Sequence, residues 1–582
     1  MVGHDGPKYA HESNQPSLPQ NDTPAEQEAR RTALGLTQEK YHLSNDNDLG
    51  LPLLKEVPAE EAFSNIYEAG RAIDTFPLLE NHDKVMSQLT NPYGPFTGLA
   101  DYESMFIDIP KPAVTKNWLT DESFGEQRLS GVNPVMIERV KNAKDLASKF
   151  NVSQLKDVLD SDINLDELIK DELLYITDLS PYLKDIPEGK VPSPGGYIPK
   201  YLPKPIGLFY WHKDGAKLKD PSLKSGRLLP LAIQVDLEGD QVKILTPKSP
   251  ELLWTIAKMC FSIADVNVHE MSTHLGRAHF AQESFGAITP CQLAPKHPLA
   301  ILLKPHLRFL VANNQAGIEK LVNTGGPVDM LLASTLQGSL DISTTAAKSW
   351  SVTETFPESI QARNVASEES LPHYPYRDDG ILIWDAVVGY VNEYVNIYYK
   401  NEEDVVKDYE LQAWAKNLAD TGVHGGNIKD MPSQIESIKQ LSQLLSVIIF
   451  HNSAGHSSIN YPQYPCIGFC PNMPLAGYSN YREFLAKEKT TQEEQLTFLL
   501  SFAPPQALAL GQIDITNSLS IYHYDTLGDY AKELTDPLAK HALYCFTQKL
   551  TAIEQQIEVR NSQRAEPYKY MLPSEILNSA SI

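Results

Sequence analysis

Cysteine is scarce in this chain and does not pair up. The five thiols (Cys260, Cys291, Cys466, Cys470 and Cys545) are scattered over 582 residues. An odd, dispersed set argues against a disulfide framework and fits a reducing compartment. Cys466 and Cys470 are four apart, but no second pair completes a zinc site of that kind. Basic residues are also short, with 50 Lys and Arg against 74 Asp and Glu and a net charge of −24. That balance argues against nucleic acid, which demands clustered cations, and against purely electrostatic adhesion to anionic lipid. An apolar membrane contact stays open, because it depends on local surface and not on total charge. Long apolar runs are missing too. Stretches such as residues 444–450 are too short to span a bilayer and read as buried core helices. The polar start, residues 1–7, lacks the apolar segment of a secretory signal. The expectation is a soluble, cytoplasmic protein able to touch a membrane peripherally.

Hydrophobic residues make up 42% of the chain, enough for a substantial core. Residues 1 to about 30 are rich in Pro, Asn, Gln, Glu and Ser and cannot order themselves alone. Residues 26–40 then turn helical in composition, either as a helix docked on the body or as a loose tail. Residues 188–205, with many Pro and Gly, read as an extended loop. Residues 206–211 and 228–235 look like short strands. Beyond Pro250, apolar residues recur at three- and four-residue spacing over 252–285, 380–399 and 434–453, which predicts helices. No repeat of fixed period is present. The expected architecture is mainly α: a large helical body over residues 45–582 with a small β accessory, preceded by a partly disordered or helical extension over residues 1–44.

Two clusters can hold a metal: residues 269–279, with His269, Glu270, His274 and His279, and residues 456–460, with His456 and Asn460. His456 and Asn460, four apart, share one side of an α-helix. His274 and His279 are five apart, so on a regular α-helix they diverge by about 140°. They can chelate one ion only if the helix carries a π-type turn, a rare distortion found preferentially at functional sites. The spacing therefore predicts such a turn between them. The last residue, Ile582, can add a main-chain carboxylate. Neutral nitrogens with one carboxylate suit a non-heme iron that changes oxidation state.

Residues 254–308 closely resemble the lipoxygenase signature: His269-Glu270-x3-His274-x4-His279, then Glu283, His297-Pro298-Leu299 and Leu302-Leu303-Lys304-Pro305-His306. Further blocks match in order. They are residues 118–125 with Asn133-Pro134, residues 374–380, residues 410–414, residues 453–460 with Gln463-Tyr464 and Pro471-Asn472, and the terminal residues 578–582. The resemblance runs from about residue 45 to the end. It implies a lipoxygenase-type catalytic domain, without the N-terminal β-sandwich of animal and plant members. It implies iron held by His274, His279, His456, Asn460 and the carboxylate of Ile582, with manganese the less favoured ion. His269 maps to a non-ligand position. Glu270 and Gln463 are implied to orient Asn460 and the substrate side of the metal.

The implied reaction takes a hydrogen from the carbon between two cis double bonds of a polyunsaturated fatty acid. Dioxygen then adds to give a hydroperoxide. No side-chain base is required, because a metal-bound hydroxide accepts the proton. Alignment to the family offers Leu321, Val328, Leu331, Leu332 and Leu519 as pocket residues. Gly317 falls where members carry Ala for S products and Gly for R products, which implies R stereochemistry. Met473 stands where many plant members have an Arg proposed to meet the fatty-acid carboxylate, so the tether is open. The alternatives are a hydroperoxide isomerase on the same fold and a metal-free lipid-binding protein.

Overall fold

The computed structural model describes residues 15–213, 226–521 and 525–582. Residues 1–14, the start of the expected tail, lie outside that set. The segment that follows does not behave as a tail. Leu18 is buried, and α1 (Pro24–Gln38) starts at a capping box in which the Thr23 hydroxyl accepts from the Glu26 N–H. Arg30 of α1 is itself buried, between Asp22 at 2.6 Å and Glu410 at 2.9 Å. One buried cation with two carboxylates thus fixes the extension to the body. The expected boundary lies at residue 44. It falls inside a ladder in which β1 (Leu43–Ser44) pairs with β2 (Leu53–Leu54).

After α2 (Asn65–Gln88) and α3 (Asp121–Ser130) comes the β accessory. Its five strands are β3 (Glu138–Arg139), β4 (Leu174–Asp178), β7 (Ile206–His212), β8 (Arg227–Asp236) and β9 (Val242–Leu245), antiparallel in the order β3-β4-β7-β8-β9. One face carries its own small core of Phe150, Leu155, Leu174, Ile176, Leu208 and Leu231. The other face, through Phe209, joins Phe124 of α3 and Phe261 of the main body. The Pro- and Gly-rich stretch expected as an extended loop contains a two-stranded ribbon, β5 (Lys190–Ser193) and β6 (Gly196–Pro199).

The body is helical. At its centre is α4 (Glu251–Val268), buried at every residue from Trp254 to Val268, as expected of a helix apolar all round. Around and after it run α5 (Glu283–Gln292), α6 (Leu310–Lys320), α7 (Leu336–Ser349), α8 (Pro375–Tyr398), α9 (Ile438–Phe450), α10 (His456–Asn460), α11 (Gln506–Ser520) and α12 (Pro537–Asn561).

Most of the sequence blocks away from the histidines turn out to fasten these helices. Asp379 of α8 is buried and accepts from Arg560 at 2.7 Å and Arg564 at 2.6 Å at the end of α12. His297 meets Asp408 at 2.9 Å, which also accepts from the Tyr399 hydroxyl at 2.6 Å. A third network reaches the candidate site. Buried Arg128 of α3 pairs with Asp265 of α4, Asn133 donates to the other Asp265 oxygen at 3.0 Å, and Thr273 donates to Asn133 at 3.0 Å. Asp265→Ala strands Arg128 in the core without its counter-ion. It should cost about 3–5 kcal/mol, read as a lower midpoint of denaturant unfolding, and an unchanged midpoint would show that the network does not hold α3 to α4.

Candidate metal centre

A π-helix, His269–His279, continues α4 without a break. Its i→i+5 ladder stacks residues five apart, so His274 and His279 come onto one side, as the spacing requires. The local sequence permits this. Gly276 lies so close to α7 that a Cβ there would meet the Ser343 carbonyl at 2.6 Å and the Ala346 methyl at 2.8 Å. The Arg277 carbonyl finds partners outside the segment, accepting from His451 at 3.0 Å and Gln282 at 3.2 Å. His451 opens a second π segment, His451–Gly455, which joins α9 to α10 and delivers His456. The two distortions therefore brace each other.

His279 Nε2 lies 3.1 Å from His274 Nε2 and 3.1 Å from His456 Nε2, all three residues being buried. The second nitrogens fix the tautomers. Asn314 uses its amide N–H groups on the His279 carbonyl (3.1 Å) and Glu283 (2.7 Å). Its Oδ1 is then left to accept from His279 Nδ1 at 3.1 Å. His274 Nδ1 faces the Glu270 carboxylate at 3.4 Å. Burial favours an uncharged Glu270, but the neighbouring His269 and His274 rings outweigh it and hold the carboxyl down to about 2, so it accepts. Both Nδ1 atoms thus carry the ring proton, and the Nε2 atoms of His274 and His279 present lone pairs to each other at 3.1 Å.

Burial, reinforced by the neighbouring imidazoles, lowers the pKa of His274, His279 and His456, which removes protonation as the remedy. A cation between the rings is the remedy that fits. Metal–nitrogen bonds of about 2.1 Å at right angles separate two nitrogens by roughly 3.0 Å. Buried imidazoles suit a transition metal better than calcium or magnesium, which take oxygen ligands.

Asn460 occupies the last turn of α10, one turn beyond His456. Its Nδ2 donates to the Leu519 carbonyl at 2.8 Å, and its Oδ1 accepts from Gln463 Nε2 at 2.8 Å, leaving one lone pair free. Gln463 is thus hydrogen-bonded to Asn460, whereas Glu270 lies between the Nδ1 atoms of His269 (3.3 Å) and His274 (3.4 Å). His269 turns its Nε2 to the Ile459 carbonyl at 3.0 Å, away from the three-histidine group.

Ile582 is 2% exposed, and its main chain lies beside the His456 imidazole. The chain end is threaded inward by specific bonds. His306 Nδ1 meets the Asn578 carbonyl at 2.9 Å, the Ser579 hydroxyl donates to the Arg308 carbonyl at 2.7 Å, and the Tyr67 hydroxyl of α2 donates to the Ser581 carbonyl at 2.5 Å.

A cavity of about 470 Å³ opens from His274, His279 and Ile582. Leu321, Val328, Leu331, Leu332 and Leu519 all line it, and so does Gly317, where an added Cβ would meet nothing within 4 Å. Met473 is not on its wall; it is fully buried elsewhere in the core. Sequence reasoning gave no role to Asn314, whose neighbour Asn313 has the same composition, nor to Tyr67 and Arg71 of α2, which lie outside every block matched to the family.

A family model described as lipoxygenase matches residues 54–570. The chain is 32% identical over 495 residues to the allene oxide synthase-lipoxygenase protein of Plexaura homomalla, covering 81% of this chain and 44% of that one. It is 30% identical over 530 residues to the linoleate 9/13-lipoxygenase of Pseudomonas aeruginosa, covering 87% and 73%. The crystal structure of coral 8R-lipoxygenase superposes with a TM-score of 0.85 at 29% identity, over 98% of this chain and 83% of that one. The chain belongs to the lipoxygenase family. It spans less than half the length of the Plexaura homomalla relative and about three quarters of the Pseudomonas aeruginosa one.

Asn314 touches no lone pair that would face the metal, so Asn314→Ala isolates its effect on His279. Metal affinity, measured by competition with a chelator, should fall about 10–100-fold, whereas wild-type affinity in the variant would remove Asn314 from the account.

Proposed function

We propose that the protein is an iron-dependent lipoxygenase that converts a polyunsaturated fatty acid and dioxygen into a hydroperoxide of R configuration. The observation that carries this reading is an apolar cavity that opens onto His274 and His279, two of the three converging histidines. His274, His279, His456, Asn460 and the main-chain carboxylate of Ile582 would hold the iron. That set has only one anion, which favours an oxidising ferric state, and the carboxylate, ordinarily near pKa 3.3–3.7, is ionised without tuning. The bound iron would supply the electron acceptor for hydrogen removal.

The rest is the work of the chain. Leucine and valine walls exclude water from the reacting carbon and hold the acyl chain by apolar contact, in a volume within the usual range for small-molecule sites. Gly317 leaves room for oxygen along the wall. Arg71 and Lys320 are the cations on the cavity lining, and among the described residues Arg71 has no ion pair. Arg71 is the group we assign to the fatty-acid carboxylate, in place of the tether missing at Met473.

Entry from a lipid surface fits the same geometry. The inner face of α2 lines the cavity through Tyr67, Arg71 and Thr75, while Ile66, Ile73, Phe76, Leu79 and Met86 of α2 are exposed. Among the described residues no single helix is long and apolar enough to cross a membrane, and one bent pair, Gln492–Phe502 with α11, is so by length and composition only. The contact we propose is a peripheral one, made by these exposed α2 side chains. Replacing Ile73 and Phe76 by Asp should weaken co-sedimentation with phosphatidylcholine vesicles by about tenfold per side chain, and unchanged partitioning would rule out α2 as the contact.

The reaction itself is tested by oxygen uptake with linoleate and arachidonate, followed by chiral chromatography. Stoichiometric uptake and an R hydroperoxide are expected, turning to S in Gly317→Ala. Peroxide consumption without oxygen uptake would favour a hydroperoxide isomerase instead. An S product from the unaltered protein would end the stereochemical assignment, and manganese in place of iron by elemental analysis would end the choice of metal.

A further inference from the structure

A second set of metal-binding side chains lies on α8 and α12, neither of which lines the cavity. His541 and Cys545 are four apart on α12, so they share one face. Glu393 of α8 stands opposite them, and one ligand atom from each of the three lies within 4.8 Å of the others. We propose that Glu393, His541 and Cys545 form a surface site for a zinc-class divalent cation that ties α12 to α8.

The spacing already matches such an ion. Cys545 Sγ is 3.7 Å from His541 Nε2. Zinc–sulfur and zinc–nitrogen bonds of about 2.3 and 2.0–2.1 Å at a tetrahedral angle give roughly 3.6 Å. Thiolate, imidazole and carboxylate are all within zinc's donor set, whereas calcium and magnesium have no use for the thiolate. With Cys545 and Glu393 both anionic, a divalent ion is charge-balanced, water takes the fourth position, and the thiol proton passes to solvent.

The helices hold these residues in register. Along the α8–α12 seam, Tyr398 bonds Asp536 at 3.1 Å, Lys549 bonds the Asp385 carbonyl at 3.1 Å, and Asp379 takes Arg560 and Arg564. Directly beneath the site, Tyr390 stacks on Phe546 with centroids 4.7 Å apart. The site falls between the first two of these ties, and neither Glu393 nor His541 forms an ion pair within the described residues. Cys545 is also the one exposed thiol of the five. The other four are buried, and burial raises their thiol pKa values, those of Cys291 and Cys466 to about 12.

Cobalt(II) is the probe, added to the full-length, iron-loaded protein. Thiolate bound to cobalt gives an intense ligand-to-metal charge-transfer band, and the histidine group in the cavity contains no thiolate, so the band reports the surface site alone. One equivalent is expected to develop the band, and zinc(II) is expected to abolish it. Cys545→Ser should lose it entirely, while Glu393→Gln and His541→Gln should require more cobalt to reach it. All three side chains are at the surface, so the variants keep the fold, and oxygen uptake should be unchanged in each. No band with the wild-type chain, or a band that persists in Cys545→Ser, overturns the proposal without touching the function assigned to the cavity.

Discussion

Two proton-free imidazole nitrogens face each other across 3.1 Å in a dry interior, and the rest of the structure serves to keep them there. Left alone, that contact repels. It persists because each ring is held from behind, His279 by Asn314 and His274 by Glu270. The helix carrying both cannot relax to a regular α-helix without breaking the bonds from Thr273 and the Arg277 carbonyl. The fold thus stores an unfavourable electrostatic contact that a metal ion converts into a favourable one. His456 and the inward-threaded chain end approach the same point from two further directions.

This view separates two kinds of conspicuous residue. Asp265, Asp379, Asp408 and Glu410 are all buried carboxylates with charged or hydrogen-bonding partners, and each fastens one helix to another. None lines the cavity. Their cost of burial is offset by these charged and hydrogen-bonding partners. The metal-facing histidines differ because each leaves a nitrogen unmatched by any protein donor. Tyr67 couples the two kinds: one α2 side chain both borders the cavity and holds the chain end through Ser581.

Much of this was legible beforehand, for physical reasons. A five-residue spacing between His274 and His279 has one helical solution, so the π segment followed from arithmetic on the helix repeat. The mainly helical body followed from apolar periodicity, and the strands read at 206–211 and 228–235, observed as 206–212 and 227–236, from short apolar runs. The cavity residues came from family likeness, since a leucine on a pocket wall and a leucine in a core have the same sequence signature. Other features had no local signal. Arg30 carries no signal of its own in a polar segment, and only its distant partner Glu410 makes it a buried anchor. The role of Asn314 depends on both of its amide N–H groups being engaged 31 and 35 residues away. The surface grouping of Glu393 with His541 and Cys545 exists only once α8 and α12 lie side by side.

The most direct test is anomalous X-ray diffraction at the iron edge from crystals of the iron-loaded protein. The account requires one strong peak within bonding distance of the Nε2 atoms of His274, His279 and His456 and of the Ile582 carboxylate. A peak elsewhere, or Ile582 turned away from it, would contradict the central claim.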